Sequence, residues 1–406
     1  MRVVHKYGGT SVGSLDRIRA TAKLIQEDMA RGNEVAVVVS AMSGETNRLI
    51  AMANEIDSKA PAREMDALVS TGEQVSAALL AIELNHLGVP AYSYSGSQAG
   101  FRTDSSHARA RIKGVESEHL IRHMQAGEVP VVTGFQGSDE HGNITTLGRG
   151  GSDTSAVALA IAVNADVCNI YTDVNGIYTT DPRIVPQASK LQEISYEEML
   201  EFASLGAKVL QTRSVELAMR FNIPIHLRSS FEGVAGTMVN GEDTGMERAE
   251  ITGVAYNRDE AKVTIKGIPD QPGIAARIFG PVADADINVD VIVQNVSEHG
   301  LTDMTFTVPR NDYAATMALL EGLCTQMKAE KVTGDDTVAK VSIIGVGMRS
   351  HAGVARKMFD VLANENINIQ MITTSEIKVT VVLEEKYVEL AVHSLHSAFG
   401  LDAEEE

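Results

Sequence analysis

A chain of 406 residues is too long for one ordinary hydrophobic core, and its 44% hydrophobic and 22% charged content is that of a globular protein. The formal net charge of −19 removes any general electrostatic reason to bind nucleic acid or an anionic membrane. A phosphate-bearing ligand would have to be met by local devices: glycine turns, helix N-termini and a few placed cations. Cys168 and Cys324 stand far apart without ligand spacing and read as reduced thiols. The N-terminus lacks a signal-like apolar core and no run is expected to approach a membrane span, so the expectation is a soluble, cytoplasmic protein.

Short β-branched runs at 3–4, 35–39, 91–95, 130–135, 167–171 and 223–228 alternate with amphipathic stretches at 15–31, 64–87, 116–125, 152–164, 195–200 and 209–221. Such alternation predicts an α/β domain with a mostly parallel sheet covered on both faces, over residues 1–245. The glycine-rich, charged stretch 232–248 reads as a boundary.

Beyond it the chain repeats itself. AKVTIKG at 261–267 returns as AKVSIIG at 339–345, an offset of 78 residues. The offset then becomes 80, with Gly273/Gly353, Ala275/Ala355, Phe279/Phe359, Ile287/Ile367, Asn288/Asn368 and Ile292/Ile372 in register. Each copy reads βαββα, the first over 261–336 and the second over 337–406. A strand at 251–256 precedes the first copy, while the second ends without a last strand. The expectation is that 251–256 completes the second copy, so that the two are entwined.

Three clusters carry polar chemistry. In HKYGGTSVG, Lys6 ends a strand before Gly8-Gly9, and Thr10-Ser11 could cap the next helix. Both an anion-binding turn and a plain tight turn with a solvated lysine fit that stretch. In TLGRGGSDTSA, Arg149 lies between glycines before Ser152 and Asp153; a guanidinium fork in such a bend suits a carboxylate. In YTDVNGIYTTDPR, Asn175-Gly176 signals a hairpin, with Thr172, Asp173, Tyr178 and Arg183 near one sheet edge. Ser40 follows a buried strand, Ser43 and Thr46 open a helix, and Glu73 falls in the first turn of an apolar helix, where an acid is ordinarily structural.

Taken in order, KYGGTSV, SAMSGETNRL, STGEQVSA, GRGGSDTSA, TDVNGIYTTDPR and GAKVLQTRS closely resemble the aspartokinases of the amino-acid kinase family, and the repeat resembles the paired ACT domains of those enzymes. The likeness spans nearly the whole chain; His5 and Asn175 depart from the commoner Gln and Asp. It implies a three-layer αβα kinase domain followed by two ferredoxin-like ACT domains. It also implies transfer of the ATP γ-phosphoryl group to the side-chain carboxylate of L-aspartate, with Mg²⁺ carried by ATP and no protein ligand named.

The resemblance assigns catalysis to Lys6, Asp153 and Lys208. It assigns ATP to Lys6, Gly8, Gly9, Thr172, Asp173, Tyr178, Arg183, Lys208 and Val209. Substrate falls to Ser40, Thr46, Glu73, Arg149, Gly150, Gly151 and Ser152. A lysine or threonine effector would meet Asp270, Gln271, Gly273, Ile274, Ala275, Asn288, Val289, Asp290 and Gln294 in the first copy. In the second it would meet Val354, Ala355, Asn368, Ile369, Thr374 and Ser375, with Ser350 and Gln370 standing where the first copy has Asp270 and Asp290. A homo-oligomer is expected, with a separate effector-only chain beginning near Met246. Two other readings remain: a relative of the same fold with another acceptor (acetylglutamate, glutamate or a nucleoside monophosphate), and an amino-acid sensor with an inactive kinase domain.

Overall fold

The computed structural model describes residues 1–206, 209–241, 251–296, 300–346 and 353–402. The chain forms two compact units. One comprises Met1–Tyr178, Lys190–Ser204 and Lys208–Gly245; the other comprises Thr179–Ser189, Leu205–Ala207 and Met246–Glu406. The segment 179–189 therefore packs with the second unit, although the sequence on both sides of it belongs to the first.

The first unit runs β1 (Arg2–Tyr7), α1 (Leu15–Ala30), β2 (Glu34–Val39), α2 (Glu45–Ile56), α3 (Ala62–Val69), α4 (Thr71–His86), β3 (Ala91–Tyr94), β4 (Phe101–Thr103), β5 (Ile112–Val115), α5 (Glu118–Gln125), β6 (Val129–Thr133), β7 (Gln136–Ser138), β8 (Ile144–Thr146), α6 (Gly151–Ala162), β9 (Val167–Thr172), β10 (Glu193–Ser195), α7 (Tyr196–Ser204), α8 (Thr212–Phe221), β11 (Ile225–Ser229) and β12 (Thr237–Asn240). The main sheet has the order β10-β12-β11-β9-β1-β2-β6-β3. Strands β11, β9, β1, β2, β6 and β3 pair in parallel; β12 is antiparallel to β11.

β2 and β6 are almost continuously apolar because they are buried on both faces. On one face Ile18, Ala22 and Ile25 of α1 and Ala77, Leu80 and Leu84 of α4 pack on Val3, Tyr7, Val35, Val37 and Val39. α5 and α6 lie against the strands from the other side. Parallel strands bring their carboxyl ends to one rim, where ligands of open α/β sheets bind.

Several expectations change. The helix expected over 64–87 is two, α3 and α4, meeting at Ser70, whose carbonyl accepts a hydrogen bond from the Gln136 side chain. Ala62–His86 also has the length and hydropathy of a membrane span, contrary to the expectation of no such run; half of its most apolar window is buried, and Asp66 and Glu73 are buried within the stretch, as in a core helix. The helix cap after β1 is Ser14, which accepts from the Arg17 N–H, and Ser11 instead bonds Ser230. Asn175-Gly176 makes no two-stranded hairpin. Residues 173–176 bend, and an isolated bridge joins Tyr178 to Lys190. The boundary read at 232–248 contains β12, an integral strand. A four-stranded sheet, β5-β4-β7-β8, was not anticipated, since its strands are three or four residues long.

The second unit contains β13 (Gly253–Pro269), α9 (Ile274–Asp284), β14 (Ile292–Val296), β15 (Leu301–Val308), α10 (Tyr313–Met327), β16 (Lys331–Ile344), α11 (Val354–Asn364), β17 (Met371–Thr374), β18 (Lys378–Glu384) and α12 (Val388–Ala398). Its sheet order is β14-β15-β13-β16-β18-β17. The two central strands are shared. Residues 253–257 at the start of β13 pair with 340–344, while 262–266 pair with 331–335 at the start of β16. Each copy thus takes its last strand from a strand that also serves the other. Two cores result. Ala261, Val263, Ile278 and Phe306 lie in one; Val254, Val341, Met358 and Val392 lie with Val185 in the other.

Candidate active site

Lys6 is the penultimate residue of β1, opposite Val38 of β2 and Ile170 of β9, so its side chain leaves the sheet at the rim. It is 9% exposed, and its Nζ lies 2.7 Å from Asp153 Oδ1. That oxygen has no partner of hydrogen-bond geometry, so the pair is an ionic contact made off the preferred line. Asp153 stands in the first turn of α6, where the helix dipole favours an acid. His5, one residue back, faces the other side of the sheet, with Nε2 2.9 Å from Asp28, and takes no part in this rim.

The glycine turn after β1 packs on the turn after β2. A Cβ on Gly9 would fall 2.9 Å from the Ala41 carbonyl oxygen, and the Ser43 N–H donates to Gly9. The Gly8 N–H donates to the Tyr171 carbonyl at 3.1 Å, which ties the turn to the end of β9. Ser40 donates its N–H to Tyr7, and Thr46 sits in the first turn of α2, which opens at Gly44.

Glu73 departs most from the bland local reading. It is 3% exposed; Oε1 accepts from the Ala41 N–H at 3.2 Å, while Oε2 is buried with no partner. Burial pushes its carboxyl up to about 7, against the lowering effect of backbone hydrogen bonds at Glu73 and Ala41. The unpartnered oxygen lies beside the turn after β2, where it is open to a donor or cation.

Arg149 is exposed between Gly148 and Gly150, both at positive φ (80° and 68°), and its guanidinium has no partner among the described residues. Gly150 is required twice over: for its left-handed backbone, and because a Cβ there would come 1.7 Å from Gln211 Cγ. It also forms the N-cap of α6, so neither Ser152 nor Asp153 caps that helix. Gly151 closes on Phe135, and Ser152 packs on Gly134, at the turn after β6. The rim therefore gathers Lys6, Asp153, Gly9, Ser40, Glu73 and the 148–153 loop about the carboxyl ends of β1, β2 and β6.

At the neighbouring strand end, Thr172 Oγ1 donates to Asp173, and the Tyr178 hydroxyl donates to Asn175. Arg183 is the fourth residue of this stretch that the resemblance assigns to the nucleotide. It belongs to the second unit, where its guanidinium lies 2.7 Å from Asp181, a contact that holds the Asp181 carboxyl below the ordinary range. Val209 is half-buried at the start of the turn before α8, while Lys208, Ser350 and Met246 lie outside the described residues.

In the second unit Gly273, at φ 88°, opens α9, and Asp270 donates its N–H to Gly300. Gln271, Ala275, Asn288 and Gln294 are exposed, whereas Ile274 and Val354 are core residues and Val289, Ala355 and Ile369 pack against the cores. Asn368, Thr374 and Ser375 are exposed. Asp290 is not the free receptor for an ammonium that its position suggested, because the buried Lys340 ammonium bonds its carboxylate and lies 2.9 Å from Glu260. The repeat mirrors this contact: Lys262, equivalent to Lys340, bonds Gln370, equivalent to Asp290. Sequence reading missed these crossed pairs, and it also missed Asp66, His107 and Thr146 in the first unit. The signal for Asp66 was a charge on the apolar side of EMDALV.

Comparison with known proteins accords with this geometry. The profile of the amino acid kinase family matches residues 1–229, and ACT domain profiles match 263–325 and 341–399. An aspartokinase of Pseudomonas aeruginosa is 56% identical over 403 residues, covering 99% of this chain and 98% of that one. The crystal structure of E. coli aspartokinase III in complex with aspartate and ADP, described as its R-state, is 29% identical with a TM-score of 0.82, covering 98% of this chain and 99% of that one. The same enzyme in complex with lysine and aspartate, described as its T-state, gives 28% identity and a TM-score of 0.76 at the same coverage. The chain belongs to the aspartokinases of the amino acid kinase family, with a kinase domain followed by two ACT domains.

Proposed function

We propose that this chain transfers the γ-phosphoryl group of ATP to the side-chain carboxylate of L-aspartate, giving 4-phospho-L-aspartate and ADP. The observation that carries the reading is the buried Lys6–Asp153 pair at the carboxyl rim of the sheet, with the unpartnered Glu73 oxygen near the same turns. A carboxylate nucleophile is already ionised at neutral pH and needs no general base. What the reaction needs is alignment of the two substrates and compensation of charge on the migrating group.

Lys6 supplies that compensation, and Asp153 holds its ammonium in place until the phosphates arrive. Glu73 binds the aspartate ammonium, Arg149 its α-carboxylate, and Ser40, Thr46 and Ser152 line its path. Gly150 and Gly151 give the chain its close approach there. Thr172, Asp173 and Tyr178 serve the nucleotide, together with Lys208 and Val209 from the sequence that precedes α8. Among the described residues no cluster of three or more His, Cys, Asp or Glu groups could hold a metal ion. Magnesium, carried by ATP and water and not by these residues, would supply further neutralisation of phosphate charge.

The second unit is read as the effector module for lysine, threonine or both, in a cytoplasmic homo-oligomer. In the first copy the open groups for such a ligand are the α9 N-terminal turn, Asp270, Asn288 and Gln294. An effector acts on catalysis only by binding two states of the protein unequally.

Trapping the acyl phosphate with hydroxylamine tests the reaction. With ATP and a panel of acceptors, the hydroxamate forms with aspartate and not with glutamate, acetylglutamate or a nucleoside monophosphate; product from another acceptor, or none at all, rejects the reading. Lys6→Ala lowers kcat by orders of magnitude with little change in KM, whereas Arg149→Ala mainly raises KM for aspartate. Near-normal turnover in Lys6→Ala would remove Lys6 from the mechanism.

A further inference from the structure

Asp66 is a buried charge that this reaction does not use. It is 1% exposed on α3, and three donors converge on it. Oδ1 accepts from Thr146 Oγ1 at 2.5 Å and the Ala108 N–H at 3.1 Å; Oδ2 accepts from the same N–H and from His107 Nδ1 at 2.7 Å. The Ala108 that Asp66 holds has φ 65°, a left-handed conformation that costs an alanine about 1–2 kcal/mol and persists only where its surroundings impose it.

The loop 107–111 is fastened further to the strand that leads to Arg149. Ala110 donates to the Thr146 carbonyl at 2.8 Å, and Arg213 bridges the carbonyls of Leu147 and Ala110 at 3.1 and 2.9 Å. A Cβ on Gly148 would stand 3.1 Å from the Ala108 carbonyl oxygen, so the two backbones touch there. On the other side, Gln136 clamps the Ser70 carbonyl where α3 meets α4, one turn before Glu73. Asp66 thus joins the helix pair that presents Glu73 to the strand end that presents Arg149. Removing the Asp66 carboxylate alone would leave those three donors buried without an acceptor, so the side chain fixes how the two segments meet.

We propose that Asp66, with His107 and Thr146, is a positioning device that sets the distance between the Glu73 carboxylate and the Arg149 guanidinium. It thereby selects an acceptor that carries an ammonium and a carboxylate on one carbon, as aspartate does. The inference rests on the reading that those two residues hold the two poles of the substrate.

The full-length enzyme tests it with three ligands: aspartate, succinate (which lacks the ammonium) and 3-aminopropanoate (which lacks the α-carboxylate). In the unmodified protein aspartate is held at least tenfold more tightly than either single-pole competitor; absence of that advantage defeats the Glu73 and Arg149 reading itself. Asp66→Asn offers one acceptor oxygen to three donors, and Thr146→Val removes one donor at nearly constant shape. In both, KM for aspartate rises tenfold or more, KM for ATP stays within twofold, and inhibition by the single-pole competitors is unchanged. Thr146→Ser restores the aspartate KM. Should Asp66→Asn fail to fold, the Thr146 pair decides. Retention of the aspartate advantage in the variants overturns the proposal, and so does equal weakening of all three ligands, which signals general loosening.

Discussion

Burial raises the Glu73 carboxyl to about 7, so at neutral pH its ionised form is present at a cost that a ligand ammonium would relieve. Its folded-state pKa lies above the value of 4.5 for an exposed glutamate. The group's contribution to stability is therefore complete below that value and is lost as pH rises through 7. Glu73→Gln keeps an acceptor for the Ala41 N–H and removes the charge. At pH 8 it should melt a few degrees higher than the unmodified protein while raising KM for aspartate tenfold or more. The unmodified enzyme should show an aspartate KM that climbs, by up to tenfold per unit, as pH falls below 7. Calorimetric melts and a pH series of KM check both signs, and a less stable Gln variant at pH 8 would contradict the role given to burial.

At the scale of elements, the turn into α6 positions two residues of the proposed site at once, Arg149 before it and Asp153 after it. Gly150→Ala forces a non-glycine residue to φ 68° and drives its Cβ into Gln211. The left-handed conformation alone costs about 1–2 kcal/mol. The variant should melt lower and raise KM for aspartate about tenfold. Adding Gln211→Ala should recover the part due to collision and leave the part due to φ, so full recovery in the double variant would show that the backbone is not strained there.

For the whole molecule, the consequential feature is the sharing of β13 and β16 between the two repeats. Lys340 sits on the shared strand with 1% exposure, against Glu260 at 6%. Burial raises the Glu260 carboxyl more than the Lys340 charge lowers it, so the pair is held together by necessity. Lys340→Ala leaves Glu260 buried without its cation and should cost the second unit about 3–5 kcal/mol, whereas Lys340→Met combined with Glu260→Gln should cost much less. Chemical denaturation of the two variants measures the difference. Equal losses would mean that packing, not charge, dominates.

Much of the fold was legible because it rests on local rules. Buried parallel strands show as unbroken β-branched runs such as 35–39, and an internal repeat is visible as matched residues at offsets of 78 and then 80. Lys6, Glu73, Arg149 and Asp153 were legible as types at strand ends and helix starts. Their states were not: that Lys6 is ion-paired, that one Glu73 oxygen has no partner, that Asp290 is taken by Lys340 and that Arg183 is held by Asp181. Those depend on which residues meet across hundreds of positions, and on how much water each meeting excludes. Sequence alone determined the order of the elements and the inventory of charges along the chain. Only the tertiary structure decided which charges pair, because pairing and desolvation act through space and leave no local periodicity to read.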